Sequence, residues 1–179
     1  EQRGITVVST REPGGTPLGE KVRELLLAPG NRICAEAELL LMFASRAQLA
    51  AELIKPELAQ GHFVLSDRFT DASFAYQGGG RGGDWSVLEQ LESWVQQGRQ
   101  PDLTFLFDLS PDEAAERRSA VRRPDRFEAQ DAVFFERVRA GYAQRRAADP
   151  GRFELIDARA APAAVWAQVA TAAQGRGLW

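Results

Sequence analysis

Hydrophobic positions along the chain follow two periods, and the two alternate. Short apolar runs of strand length occur at Ile5–Val8, Phe63–Leu65, Leu103–Leu109 and Phe153–Ile156. Between them, apolar residues recur every three or four positions, the helical spacing. Helices are predicted over Pro17–Ala28, through Leu18, Val22, Leu25 and Leu26, and over Ala35–Gln60, through Leu39, Phe43, Leu49, Ala50 and Leu53. Others follow at Trp85–Gln97, from Pro111 onward, at Ala132–Ala147 and at Pro162–Gln174, with a short helical or turn segment at Thr70–Tyr76 and a glycine run after it. Strands alternating with helices predict βαβ units around a parallel sheet, an α/β fold in one domain. Phe63–Leu65 reads as a buried strand, and the Leu103–Leu109 run as a central strand covered on both faces.

Composition narrows the partners. The 179 residues carry 22 basic and 25 acidic side chains, a net charge of −3, so no global field draws the protein to nucleic acid or a membrane surface. Any anion has to be caught locally. No apolar run reaches the ~18 residues of a membrane span, and the reading is of a cytoplasmic protein. The single cysteine, Cys34, has no partner for an intrachain disulfide and reads as a small buried hydrophobe. His62 reads as structural.

Three places carry candidate chemistry. Asp67-Arg68 follows the Phe63–Leu65 strand, and ligands of parallel sheets bind beyond the carboxyl ends of strands. The pair is either an ion pair capping the strand or a phosphate-and-metal site. Arg46 lies on the apolar stripe of the long helix, three residues after Phe43 and four after Met42. A guanidinium there needs a partner: a structural salt bridge, an escape of its tip to solvent, or a planar base that its donor fork reads. Arg117, Arg118, Arg122, Arg123 and Arg126 form the third, interrupted by Pro124 and flanked by acids. They suit a solvated helix end or a lid closing over phosphates. The acidic flanks and the lack of an aromatic platform argue against nucleic acid.

Five motifs, in order along the chain, resemble bacterial thymidylate kinase: TREPGGTP at Thr10–Pro17, DRF at Asp67–Phe69, AYQGGGRG at Ala75–Gly82, PDLT at Pro101–Thr104 and DRFE at Asp125–Glu128. The resemblance implies a P-loop-kinase-like sheet of five parallel strands in the order 2-3-1-4-5. It implies phosphoryl transfer from ATP to dTMP, giving dTDP and ADP in dTTP biosynthesis, with Mg²⁺ required, in a homodimer. By the same resemblance Arg11, Arg68, Arg117 and Arg126 are catalytic, and Asp67 acts near the metal. Arg68 holds the dTMP phosphate, Glu12 and Pro13 shape the wall, and Arg46 and Gln77 hydrogen-bond the thymine edge. Ser73 lies beside them and Tyr76 borders the sugar, while Met42 or Phe43 stacks on the base. Arg122 and Arg123 belong to a lid at about residues 117–128 of a single nucleoside monophosphate kinase domain spanning 1–179.

One departure is large. The family opens with a strand, a G-x-x-x-x-G-K-[ST] phosphate loop and a helix, and this chain carries no such run. Gly14-x-x-x-x-Gly19 is a decoy, because Glu20 precedes Lys21 and Val22 replaces the hydroxyl that would bind Mg²⁺. The expectation is a chain missing its central first strand, with roughly 30 further residues upstream, the length of one βα unit. Phe63–Leu65 and Leu103–Leu109 should then not pair with each other, and the chain as given should be inactive. The rival readings are a kinase for another nucleoside monophosphate or a deoxynucleoside, and a catalytically dead nucleotide-binding fragment if residue 1 is the true start.

Overall fold

The structure is a computed structural model that describes residues 4–119 and 125–178. Two compact units make up the chain, one of residues 1–99 with 125–142, the other of 100–124 with 143–179.

In the first unit, β1 (Val7–Arg11) pairs in parallel with β2 (Phe63–Asp67), Val7 beside Phe63 and Arg11 beside Asp67. A parallel register brings both carboxyl ends to one place, so the loop after Arg11 and the turn after Asp67 become neighbours. The crossover begins with α1 (Pro17–Leu27), where Thr16 accepts the Gly19 amide at 3.0 Å and Pro17 takes the first turn. Its buried face, Val22 and Leu26, packs with Phe127, and Met42 and Tyr76 lie against that cluster. Next comes α2 (Ala35–Leu49), which runs on through a π-helical stretch, Ala50–Ile54, into α3 (Lys55–Ala59).

After β2, α4 (Thr70–Ser73) passes into a second π-helical stretch, Phe74–Gly80, closed by the wide bond from the Arg81 amide to the Tyr76 carbonyl at 2.9 Å. The glycine run is therefore helical and continues the segment predicted at Thr70–Tyr76. The reason lies some sixty residues away. α7 (Ala132–Ala148) comes so close that a β-carbon on Gly79 would stand 2.5 Å from the Arg137 carbonyl oxygen, and one on Gly80 2.5 Å from the Phe134 ring. α5 (Trp85–Gln96) is capped by Asp84 and ends at Gln97, whose φ of 54° is left-handed.

In the second unit, β3 (Thr104–Asp108) pairs in parallel with β4 (Phe153–Asp157). α6 (Pro111–Ser119) and α8 (Pro162–Gly175) complete it, with α8 packed on β4. Among the described residues β2 and β3 are not paired with each other, and the strands form two separate two-stranded sheets.

Several expectations need correction. The first strand begins two residues late and takes in Thr10 and Arg11, because β2 supplies partners as far as Asp67. Phe63, Leu65 and Phe107 are 43%, 58% and 53% exposed, so neither apolar run is buried throughout. Each strand has one strand neighbour, and alternate side chains face away from the packed side. Cys34 is exposed, since it stands at the N-cap of α2 outside the apolar stripe. His62, read as structural, has its Nδ1 2.7 Å from the Glu57 carboxylate across the α3–β2 turn. Among the described residues no helix is long and apolar enough to cross a membrane.

The close approach of α7 to the glycine run generates a prediction. Gly79→Ala should destabilise the protein by about 1–3 kcal/mol, because the clash is with backbone. Gly175→Ala meets no atom within 4 Å and should leave stability unchanged or slightly raised. Urea unfolding of the two variants checks the contrast.

Candidate functional site

The site lies at the shared carboxyl end of β1 and β2. Beyond Arg11 the chain turns inward, and the Glu12 amide donates to the Asp67 carbonyl at 3.0 Å. Glu20, in the first turn of α1, ties the glycine loop: one oxygen accepts the Gly15 amide at 2.8 Å, the other Arg11 Nη2 at 2.9 Å. The Gly15 amide, and after an opposing effect of burial the Arg11 guanidinium, hold the Glu20 carboxyl below its usual value.

A partly open pocket adjoins this loop. Arg46 is the centre of its polar wall and is 2% exposed. Its Nε and Nη2 donate to one Glu12 oxygen at 2.8 and 2.7 Å, and Nη2 also reaches Ser73 Oγ at 3.0 Å. The guanidinium lies between Phe43 and Phe69, 4.6 and 5.4 Å from the ring centroids. Of the three readings open to Arg46, the salt bridge is therefore present, but it does not exhaust the residue. Arg46 Nη1 and Glu12 Oε1 are buried and have no hydrogen-bond partner. Each such atom costs about 1–3 kcal/mol, and a ligand that satisfied them would recover it. Burial raises the Glu12 carboxyl above its ordinary value, with the Arg46 charge opposing.

Met42 lines the pocket with Pro13, Leu27 and Phe127, whereas Phe43 is buried against Arg46. Phe69, which sequence reasoning passed over inside the DRF motif, also lines the pocket. Tyr76 also faces the pocket, its ring edge-on to Phe127, Phe134 and Tyr142 at 6.0–6.4 Å.

Arg68 adopts φ 70°, a left-handed conformation rare for a side chain of its size, and its guanidinium stands 5.6 Å over the Tyr76 ring. Strain of this kind persists where the surroundings enforce it, often at functional sites. Arg23 of α1, missed in the sequence, joins the group and donates to the Pro13 carbonyl at 2.8 Å. Burial first, and then repulsion from Arg11 and Arg68, lower Arg23 from its ordinary value, with Glu20 and Asp125 opposing. Arg11, Arg23 and Arg68 thus gather positive charge beside the strand ends, a charge that could meet an anion.

Gln77 and Arg126 meet through another residue that sequence reasoning missed, Glu38 of α2, which is 1% exposed. Its carboxylate accepts Gln77 Nε2 at 2.9 Å, Arg81 Nε and Nη2 at 3.3 and 3.2 Å, and Arg126 Nη2 at 2.7 Å. Arg126 also donates to the Leu26 carbonyl at 2.7 Å. The acids of the DRFE motif form a reciprocal cap: Asp125 Oδ1 accepts the amides of Phe127 and Glu128, and Glu128 accepts that of Asp125.

Arg117 belongs to the second unit, where its fork donates to the carbonyls of Ala158 and Arg159 at 2.8 Å each. Arg122 and Arg123 lie outside the described residues. Asp67 is exposed at the tip of β2, and among the described residues no group of three His, Cys, Asp or Glu side chains could hold a metal. Mg²⁺ asks for less, often one or two carboxylates with substrate phosphates and water, and Asp67 fits that role.

A slot with hydrogen-bonding walls beside an arginine cluster, at the carboxyl ends of parallel strands, is the arrangement of a nucleotide-binding α/β protein. The thymidylate kinase family model matches residues 1–169, and the chain belongs to that family. It is 60% identical over 156 residues to a thymidylate kinase of Ralstonia nicotianae, covering 87% of this chain and 75% of the relative. With the thymidylate kinase of Paraburkholderia xenovorans it shares 60% over 154 residues, 86% of this chain and 74% of that one. The crystal structure of thymidylate kinase from Ehrlichia chaffeensis is similar at a TM-score of 0.75 and 35% identity, over 94% of this chain and 80% of that one.

The backbone of Arg68 gives a prediction that needs no ligand. Arg68→Gly should be more stable than Arg68→Ala by about 1 kcal/mol, since both remove the guanidinium but only glycine relieves the left-handed strain. Parallel thermal unfolding of the two variants measures the difference.

Proposed function

We propose that the protein phosphorylates dTMP to dTDP with ATP as donor, and that the pocket around Arg46 is its dTMP site. The observation that carries this reading is the unpartnered Arg46 Nη1 in a pocket that Gln77, Phe69 and Tyr76 also line, with Arg68 among its lining residues. A donor next to an amide suits the carbonyl and ring N–H of thymine. Glu12 and Pro13 form the wall, Ser73 steadies Arg46, and Tyr76 borders the sugar. Met42, which lines the pocket, contacts the base, and Phe69 adds a face that Phe43 does not offer.

Arg68 takes the dTMP phosphate, with Arg11 beside it. The acceptor phosphate is already ionised near neutral pH, so the residues need supply no strong base. Their task is to bring two polyanions together and neutralise them. Arg117 and Arg126, with Arg122 and Arg123 of a lid at about 117–128, supply further positive charge. Mg²⁺, when bound, would neutralise phosphate charge, and Asp67 would help to hold it. The four strands are read as the second to fifth of a five-stranded sheet in the order 2-3-1-4-5, within one kinase domain. A cytoplasmic homodimer is the expected form.

Titration calorimetry with dTMP and with thymidine tests the site. The chain should bind dTMP more tightly than thymidine, and Arg68→Gly should remove most of that difference, at least about tenfold in affinity. Equal affinity for the two in the parent would overturn the phosphate assignment. Residues 1–179 contain no G-x-x-x-x-G-K-[ST] run. With ATP and Mg²⁺ the expected result for these residues alone is dTMP binding without turnover, and steady dTDP production would refute that part.

A further inference from the structure

Gln77 reads the base only if its side-chain amide faces the right way, and a glutamine can present either end. In water the two orientations are nearly equal. Here one of them is closed by chemistry. Gln77 is 3% exposed, and its Nε2 stands 2.9 Å from Glu38 Oε1. An ionised carboxylate accepts hydrogen bonds and donates none. Turning the amide over would place its oxygen against a carboxylate oxygen in a buried setting, with no proton between them.

Glu38 has little freedom to adapt. Arg81 and Arg126 fill its remaining acceptor positions, so four donor contacts from three side chains converge on one buried carboxylate. Arg81 is pinned in turn by Gln130 at 2.9 Å, and Arg126 by the Leu26 carbonyl at 2.7 Å. Gln77 lines the pocket and Glu38 does not.

We propose that Glu38 is a positioning residue for pyrimidine selection: by holding the Gln77 nitrogen it fixes the Gln77 oxygen as the group offered to the base. An acceptor there matches the ring N–H of thymine or uracil and opposes the bare ring nitrogen of cytosine. The opposite wall agrees. Glu12 engages Nε and Nη2 of Arg46 and leaves Nη1 as a donor, which suits a base carbonyl and repels an exocyclic amino group. Two buried acids thus each fix the orientation of one reading group. The inference rests on the pocket being the dTMP site.

The test is the ratio of dTMP to dCMP affinity, by calorimetry, in the parent and two variants. Glu38→Gln can donate as well as accept, so the Gln77 amide regains its second orientation. The ratio should fall by at least about tenfold. Glu38→Asp keeps an acceptor-only group and should preserve the ratio even where both affinities weaken. A Glu38→Gln variant that weakens both nucleotides equally, with the ratio intact, would show a merely structural residue and overturn the proposal. Should Glu38→Gln fail to fold, the parent itself decides by nitrogen NMR. The Gln77 side-chain NH₂ pair, assigned by its loss in Gln77→Glu, should exchange far more slowly than exposed glutamine amides. Exchange at the exposed rate would overturn the proposal as well. A parent that binds neither nucleotide while this NH₂ pair stays protected would instead sink the dTMP reading, and the selection claim with it.

Discussion

The buried ion pair between Arg46 and Glu12 is the constraint on which the site depends. Each partner is almost wholly removed from water, at a cost of several kcal/mol per ion. Only close, well-aligned contacts offset that, and here they come from three different parts of the chain: α2 brings Arg46, the loop after β1 brings Glu12, and α4 brings Ser73. The rings of Phe43 and Phe69 stand against the guanidinium. Removing either partner would strand a charge, typically 3–5 kcal/mol of destabilisation. The loop, the helix and the turn after β2 are therefore held in mutual register by side chains that also line the pocket.

That register follows from the sheet. Because β1 and β2 run parallel and end together at Arg11 and Asp67, the chain leaves both strands on the same side. The Glu12 amide can then bond to the Asp67 carbonyl, and Arg68 can reach the space beside Arg11 and Arg23. A protein of net charge −3 gathers positive charge in this one place through topology, with no need of a basic surface elsewhere.

What the sequence made legible is what local pattern or chemical incongruity can carry. The alternation of strands and helices is periodic, and Arg46 stood out because a guanidinium on an apolar stripe demands a partner. Glu38 and Arg23 gave no such signal, being ordinary charged residues on helices with charged neighbours; their partners come from segments between about ten and ninety residues away. Gly79 and Gly80 belong to a glycine run that carries no periodic signal, and only the approach of α7 reveals them as a packing surface. Asp125 and Glu128 did carry a local capping signature, with acids three residues apart. The arginines around them drew the eye to lid chemistry first. Phe69 was in view as part of a motif, but its ring became part of the pocket only once Arg46 was seen against it.

In the proposed dTMP site the two ends of the pocket are built on opposite principles. At the base end, every reading group is tied by a buried carboxylate, and little has to be ordered when a ligand arrives, which favours selectivity. At the phosphate end, Arg11 is half exposed and held by an exposed pair to Glu20, a contact worth only about 0–1 kcal/mol. Arg68 is strained, and Arg23 sits among like charges. An arriving phosphate relieves the repulsion there and competes easily for Arg11. Phosphoryl transfer changes the charge and geometry of the phosphate end and leaves the base untouched. A rigid reader joined to a compliant anion site meets both demands, because the base can stay fixed while the arginines follow the reacting group.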